Sequence, residues 1–179
     1  MKRLFVLLLA IVFCCTLLVG CGKSGANNGD SKHFSKGLEY NISGNREYYV
    51  VSGIGTCTDK DVDIPSTYKN LPVVGIGEGA FSRCTSLTSI TIPDSVTIIG
   101  EDAFGDCTSL TSVTIPDGVT SIGWYALGGC TNLTSITYDG TIEEWNAISK
   151  DGFWIYNTGN YTIYCTDGEM AKDGTVTYY

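Results

Sequence analysis

Three cysteines at one fixed spacing are the first side chains in this sequence that could do chemistry. Cys84, Cys107 and Cys130 are 23 residues apart. Thiolates bind zinc, but a zinc site needs ligands that converge on one point, usually from Cys-x2-Cys pairs. A constant spacing instead arranges the thiols along a line, and free cysteine is among the most buried residue types. The spacing therefore favours small buried apolar side chains over a metal site, although one oxidised pair between neighbours is compatible with it.

Three alternating acids form the second candidate for chemistry. The segment Asp59-x-Asp61-x-Asp63 resembles the start of a calcium-binding loop. Such a loop needs glycine at its sixth position and glutamate at its twelfth, where this chain has Ile64 and Asn70. The alternation of the acids with apolar residues instead indicates a strand whose solvated face carries the carboxylates.

The residue sets that enzymes use for catalysis are missing from the sequence. The single histidine, His33, lies in a polar segment and cannot complete a Ser-His-Asp or Cys-His site on a rigid body. There is no Gly-rich phosphate loop, no HExxH and no Cys-x-x-Cys motif. Adjacent acids such as Glu101-Asp102 and Glu143-Glu144 are not aimed at one substrate by adjacency alone. The sequence therefore predicts no catalytic residue, no cofactor and no metal, and a carboxylate-dependent hydrolase is the weakest alternative.

The N-terminus has the layout of an export signal. Lys2 and Arg3 precede an uncharged run over residues 4–20, which is typical of a secretory signal peptide over residues 1–20. Residues 18–21 (LVGC) resemble the lipobox of bacterial lipoproteins. That resemblance implies cleavage before Cys21 and a lipid on its thiol, so that several acyl chains hold the protein on the membrane. The expected location is the bacterial cell membrane, facing the extracellular or periplasmic side; an uncleaved span is the alternative.

The charge of the chain limits its partners. The formal charge is −8 at pH 7, and loss of Lys2 and Arg3 with the signal makes the mature chain more acidic still. Such a chain is repelled by the phosphates of nucleic acids, so we expect no nucleic-acid partner. Residues 21–37, rich in small and polar side chains, are typical of a flexible tether.

The 23-residue period predicts how the elements are arranged. In the segment LTSITIP, Leu87, Ile90 and Ile92 face one side of a strand, while Ser89 and Thr91 face the other. One such strand cannot bury its apolar face alone, whereas stacked copies can. A fixed period between 20 and 50 residues is the signature of a solenoid.

The repeated motif also resembles a known family. Residues 87–107 read L-x-x-I-x-I-P-x-x-V-x-x-I-G-x-x-A-F-x-x-C, which is similar to the leucine-rich repeat of BspA-like bacterial surface proteins. The resemblance is full over Val73–Tyr138, although Ser95 and Gly118 replace the asparagine of ordinary leucine-rich repeats. It implies a mainly β fold, a short leucine-rich-repeat solenoid with a parallel strand ladder and short helical or 3-10 turns. It also implies surface exposure and attachment to host or microbial partners.

The segments that flank the repeats are predicted to cap the solenoid. Residues 38–72 form an N-terminal β-hairpin cap with strands on either side of Gly53–Gly55, and residues 73–138 are the repeats. Residues 139–179 form a C-terminal helix-plus-strand cap. Thr141 and Glu144 have capping-box spacing for its helix, and a strand is expected over residues 161–165.

Two surface features are candidate binding sites. One is a ladder of outward hydroxyls, whose plainer interpretation is a soluble β surface; it comprises Ser89, Thr91, Ser112, Thr114, Ser135 and Thr137. The other is the pair Trp124 and Tyr125, which stand where the middle repeat has Glu101-Asp102. Exposed Trp and Tyr are typical of interface hot spots, and the alternative is that Trp124 covers the segment around Phe153 and Trp154.

The sequence thus predicts a lipid-anchored bacterial surface protein that acts as a binding or adhesion module for an extracellular protein or glycan. An envelope-structural or ligand-capture lipoprotein is the alternative. The pairing of the cysteines stays open, because an odd number remains once Cys21 carries lipid; these are Cys57, Cys84, Cys107, Cys130 and Cys165.

Overall fold

The structure is a computed structural model that describes residues 34–179. The predicted signal peptide, Cys21, His33 and most of the predicted tether lie outside these residues. Within residues 34–179 no helix has the length and apolar character needed to cross a bilayer.

The described chain is mainly β, with one short helix in residues 34–179. The elements are β1 (Glu39–Ile42), β2 (Tyr49–Gly53), β3 (Asp61–Asp63), β4 (Thr67–Tyr68), β5 (Leu71–Ile76), β6 (Ser89–Thr91), β7 (Ile98–Ile99), β8 (Ser112–Ile115), β9 (Ser121–Ile122), β10 (Ser135–Tyr138), α1 (Ile142–Ala147), β11 (Ser149–Lys150), β12 (Thr162–Cys165), β13 (Gly168–Ala171) and β14 (Val176–Tyr178).

The strands form two ladders, and each coil of the chain contributes one strand to each ladder. The first sheet has the order β1-β2-β5-β7-β9-β11, with β4 on β5, and the second has the order β14-β13-β12-β10-β8-β6-β3. Five successive strands of each sheet run parallel. The predicted leucine-rich-repeat solenoid is therefore confirmed, with about five coils.

The repeat sequence places apolar side chains inside every coil. Val62, Ile90, Val113, Ile136 and Ile163 pair in register across the second sheet and all are buried. The ladder fixes this register, because a slip of one residue would turn the whole apolar row towards water. The inward facing expected from the sequence is therefore confirmed.

The turns between the two sheets repeat as closely as the strands do. In the second coil Phe81 N donates to Ala103 O at 2.8 Å, and the equivalent bond from Phe104 N reaches Ala126 O at 2.8 Å. Leu127 N continues the row by donating to the carbonyl of Trp154 at 2.7 Å. Residues 151–157 are thus the turn of a further coil, which lies beyond the repeats that the sequence resemblance covers.

The N-terminal strands pair differently from the prediction. Strands are present on both sides of Gly53–Gly55, as β2 and β3, but they lie in different sheets and do not pair. The antiparallel hairpin is formed by β1, which the sequence analysis did not predict, and β2. The reason is that β2 and β3 are the two strands of one coil. Whether the hairpin acts as a cap stays a prediction.

The folded body begins before residue 38. Ser35, which the sequence places in the tether, is buried. Its amide donates to Asp63 O at 2.9 Å, and its Oγ accepts from Asp63 N at 3.1 Å. Through these two hydrogen bonds, the segment around Ser35 packs along the edge of β3. The polar composition of this segment does not predict that it belongs to the folded body.

The short helix α1 begins with hydrogen bonds between residues that are close in sequence. Thr141 Oγ1 accepts from Glu144 N at 3.2 Å, and Glu144 Oε2 accepts from Thr141 N at 2.8 Å, so the predicted capping box is confirmed. Ile142 and Trp145 are its buried side chains. The helix is inserted between β10 and β11, and the coil resumes after it.

Candidate binding site

The predicted hydroxyl ladder is present on the outer face of the second sheet. Ser89, Ser112 and Ser135 pair in register, and so do the three threonines of the ladder, Thr91, Thr114 and Thr137. All are partly or fully exposed, on neighbouring strands about 4.8 Å apart. The two rows end at Asp61 and Asp63 on β3 and at Thr162 and Tyr164 on β12.

The hydroxyls near this face already serve the fold. Thr111 Oγ1 donates to Thr88 O at 3.0 Å, and Thr134 Oγ1 donates to Thr111 O at 3.1 Å. At the end of the ladder, Asp61 accepts from the hydroxyls of Thr88 and Ser89 at 2.6 and 2.7 Å. These two bonds lower the pKa of Asp61. The face therefore offers polar groups, and its ladder residues Thr91 and Thr114 line a pocket of about 270 Å³ together with Asp94 and Asp139.

The cysteine row is part of the core. Cys107 and Cys130 are buried, as predicted, whereas Cys84 is only partly buried. Cys107 Sγ donates to Phe81 O at 3.0 Å, and Cys130 Sγ donates to the equivalent carbonyl one coil later at 3.2 Å. Burial raises the pKa of Cys130 to about 12 and that of Cys107 further. The five cysteines of residues 34–179 are free thiols, and no cluster in this range is placed to hold a metal ion.

Trp124 and Tyr125 form one wall of an aromatic groove. Their rings stack with centroids 5.2 Å apart and planes at 29°. The same groove, with a volume of about 350 Å³, is also lined by Phe153 and Tyr156, whose centroids lie 5.5 Å apart. Trp124 is 45 % exposed, Phe153 63 % and Tyr156 57 %. We call these four residues the aromatic groove.

Equivalent turns of two consecutive coils bring the four rings together. Trp124 and Tyr125 belong to the turn after β9, and Phe153 and Tyr156 to the turn after β11. Tyr125 and Phe153 both adopt left-handed backbone angles, with φ of 54° and 61°. This conformation is uncommon for large side chains. The stacked coils therefore impose it, and it directs these two rings outward.

Glycines leave room for the Tyr125 ring. A Cβ atom at position 128 would lie 2.3 to 2.5 Å from three atoms of that ring, so any other residue at Gly128 would displace it. The phenol Oη donates to Asp106 Oδ1 at 3.3 Å. A Cβ atom at Gly105 would lie 1.7 Å from Asp102 Oδ1 and 3.2 Å from Tyr125 Cδ1. The ring and two carboxylates therefore occupy one small area beside the groove.

Burial and these carboxylates raise the pKa of Tyr125. Burial is the larger cause, followed by the charges of Asp106 and Asp102. Asp106 also lies 3.9 Å from Arg83 Nε, an exposed ion pair, and Asp102 Oδ2 accepts from Ser82 Oγ at 2.9 Å. The phenol therefore stays a hydrogen-bond donor across the neutral pH range.

The alternative to a binding role is that Trp124 covers the segment around Phe153 and Trp154. It stays a prediction, because Trp124 shares the groove with Phe153. Trp154 packs edge-on against Trp145, with centroids 5.8 Å apart. Phe153 was expected near Trp124 only as part of a packed segment, and Tyr156 was not expected there, because helix α1 breaks the 23-residue period. The available signal was the run of bulky side chains over residues 153–156 before Asn157, at the place where each earlier coil turns.

Known proteins similar to this chain are leucine-rich repeat proteins. The model of the BspA-type leucine-rich repeat region matches residues 56–163, in six copies. A solved leucine-rich repeat protein from Bacteroides capillosus is 27 % identical, with a TM-score of 0.59, over 72 % of this chain and 94 % of that one. A leucine-rich repeat protein from Bacteroides ovatus is 30 % identical, with a TM-score of 0.53, over 74 % of this chain and 34 % of that one.

A third similar structure is the leucine-rich repeat protein of T. pallidum. It is 28 % identical, with a TM-score of 0.54, over 63 % of this chain and 56 % of that one. The chain thus spans about half the length of the T. pallidum structure and about a third of the B. ovatus one. No curated protein matches the chain in sequence.

Proposed function

Since the chain belongs to the BspA-type leucine-rich repeat family, we propose that it is a bacterial surface module that binds an extracellular partner through the aromatic groove. A partner protein fits a leucine-rich repeat solenoid best, and a glycan is the second ligand class that exposed aromatic rings accept. The proposal includes a lipid anchor at Cys21, which would hold the solenoid at the outer side of the membrane.

The observation that carries this proposal is a groove lined by four aromatic rings, of which Trp124, Phe153 and Tyr156 are exposed and Tyr125 is partly buried. Trp and Tyr dominate interface hot spots, because they bury a large rigid area and lose little conformational freedom. Trp124 keeps nearly half of its surface in water although neighbouring apolar side chains of the coil are buried. A contiguous exposed aromatic patch of this kind marks an interaction site more often than scattered apolar residues do.

We further propose that the chain is not an enzyme. Two carboxylates lie beside the groove, Asp102 and Asp106, and each is hydrogen-bonded to a side chain of the chain itself, Ser82 and Tyr125 respectively. The groove is lined by aromatic rings, which suit contact with a ligand.

A glycine substitution tests the groove without removing an aromatic ring. Gly128→Ala places a methyl group where the Tyr125 ring lies, so it should move that ring and weaken binding. Gly44→Ala is the matched control, because a Cβ atom there has no neighbour within 4 Å. The full-length protein and both variants are applied to an array of extracellular-matrix proteins and glycans.

We expect at least one ligand whose signal falls in Gly128→Ala and Trp124→Ala but persists in Gly44→Ala. Ligands that bind all variants equally would place the binding site elsewhere, for example on the hydroxyl ladder, which Thr114→Ala then tests. An array with no signal for the unmodified protein would favour the envelope-structural alternative.

A further inference from the structure

The centre of the solenoid has no basic side chain. Residues 84–149 contain no Lys, Arg or His. They contain eight acidic residues: Asp94, Glu101, Asp102, Asp106, Asp117, Asp139, Glu143 and Glu144. Such a one-sign surface raises the local concentration of cationic ligands and repels anionic ones.

The two basic residues that border this region do not neutralise the groove. Lys150 Nζ donates to the carbonyls of Trp145 and Ile148 and lies 4.6 Å from the Trp145 ring centroid, so its charge is directed at the body. Arg83 is 82 % exposed, and its Nε lies 3.9 Å from Asp106 Oδ2. A ligand can replace an exposed pair of this kind at little cost.

Carboxylates therefore stand beside the aromatic rings that line the groove. Tyr125 stacks on Trp124, and its hydroxyl donates to Asp106. Asp102 Oδ1 and Tyr125 Cδ1 both lie next to Gly105, at 1.7 and 3.2 Å from the position of a Cβ atom there. A guanidinium group binds both kinds of surface, because it stacks on aromatic rings and donates hydrogen bonds to carboxylates in its own plane.

We infer that the groove binds a cationic segment of a partner protein, with an arginine side chain stacked on Trp124 and Tyr125 and its guanidinium directed at Asp102 and Asp106. The inference rests on the proposed function and adds the charge of the partner. A neutral glycan would use the rings but not the excess of carboxylates. A sulfated or phosphorylated ligand would be repelled by that excess.

Short peptides of one design test the charge of the ligand directly. The probes are Ac-GSRGRGSG-NH2 and three versions in which both arginines are replaced by lysine, citrulline or glutamate. Citrulline keeps the shape of arginine without its charge. The readout is the NMR signal of the Trp124 indole N–H in the full-length protein, assigned with a Trp124→Phe variant.

We expect the arginine peptide to shift the Trp124 signal, the lysine peptide to do so more weakly, and the other two peptides to have no effect. Asp102→Asn and Asp106→Asn should each lower the affinity for the arginine peptide by about tenfold, or about 1.4 kcal/mol. Asparagine suits both positions because it tolerates the left-handed backbone angles found there, φ of 53° and 55°. Asp117→Asn is the control, because this exposed acid lines a different pocket.

The outcomes separate the inference from the proposed function. If chitohexaose shifts the Trp124 signal and the arginine peptide does not, the groove is a binding site for glycans and the inference of a cationic partner is wrong. An equal loss of affinity for the arginine peptide in Asp117→Asn would mean that the whole acidic surface attracts the peptide. This result would also overturn the inference. If no probe and no array ligand depends on Trp124, the proposed function itself fails.

Discussion

Leu110→Ala is the sharpest test of the coil geometry. Leu110 is fully buried in the middle of the stack, and the equivalent leucines on both sides, Leu87 and Leu133, are buried as well. The substitution removes three carbon groups from the core, which is worth about 2.4 kcal/mol at about 0.8 kcal/mol for each.

A cavity adds to this loss, because the neighbouring coils cannot move together to fill it. Thr111 N donates to Thr88 O, and Thr134 N donates to Thr111 O, each at 2.9 Å. These bonds fix the distance between the coils that flank Leu110. We therefore expect a total loss of about 3–5 kcal/mol, the upper part of the range for buried leucine.

Urea unfolding followed by circular dichroism measures the effect, with Thr114→Ala as the matched control. Thr114 lies four residues further on and faces outward, so its loss should change the free energy of unfolding by less than about 0.5 kcal/mol. A loss below about 1 kcal/mol for Leu110→Ala, or equal losses in both variants, would refute the assigned facing of this coil.

Four further expectations concern other parts of the chain. Intact-mass analysis of membrane extracts should show a chain that begins at lipidated Cys21; a mature chain that keeps Met1 would contradict this. Thr141→Ala should destabilise the fold by about 1 kcal/mol through loss of the capping box, whereas Thr141→Ser should not. Burial raises the pKa of the Cys130 thiol from 9.0 to about 12 in the folded state. Between these values only the unfolded chain loses the proton, so the free energy of unfolding should fall as the pH rises from 9. Cys130→Ala should therefore make the urea midpoint less sensitive to pH in this range. Trp124→Ala should reduce ligand binding with a stability change under about 1 kcal/mol, and a larger loss without a change in affinity would support the packing alternative.

The family, the period and the facing of the repeats could be predicted because they are local and repeated properties. Each coil has the same alternation of Leu, Ile and hydroxyl residues, so a single coil that buries its apolar row requires its neighbours to do the same. The capping box at Thr141 was equally accessible, since its two hydrogen bonds join residues only three positions apart.

The aromatic groove, in contrast, could be recognised only from the tertiary structure. Helix α1 interrupts the period, so the sequence does not show that residues 151–157 turn like the earlier coils; the hydrogen bonds from Leu127 N and Gly129 N to that segment establish it. The same stacking separates β2 from β3 into different sheets. Phe153 and Tyr156 face Trp124 only because consecutive coils stack in register, and the exposure of a side chain is set by the residues packed around it, which here lie on another coil.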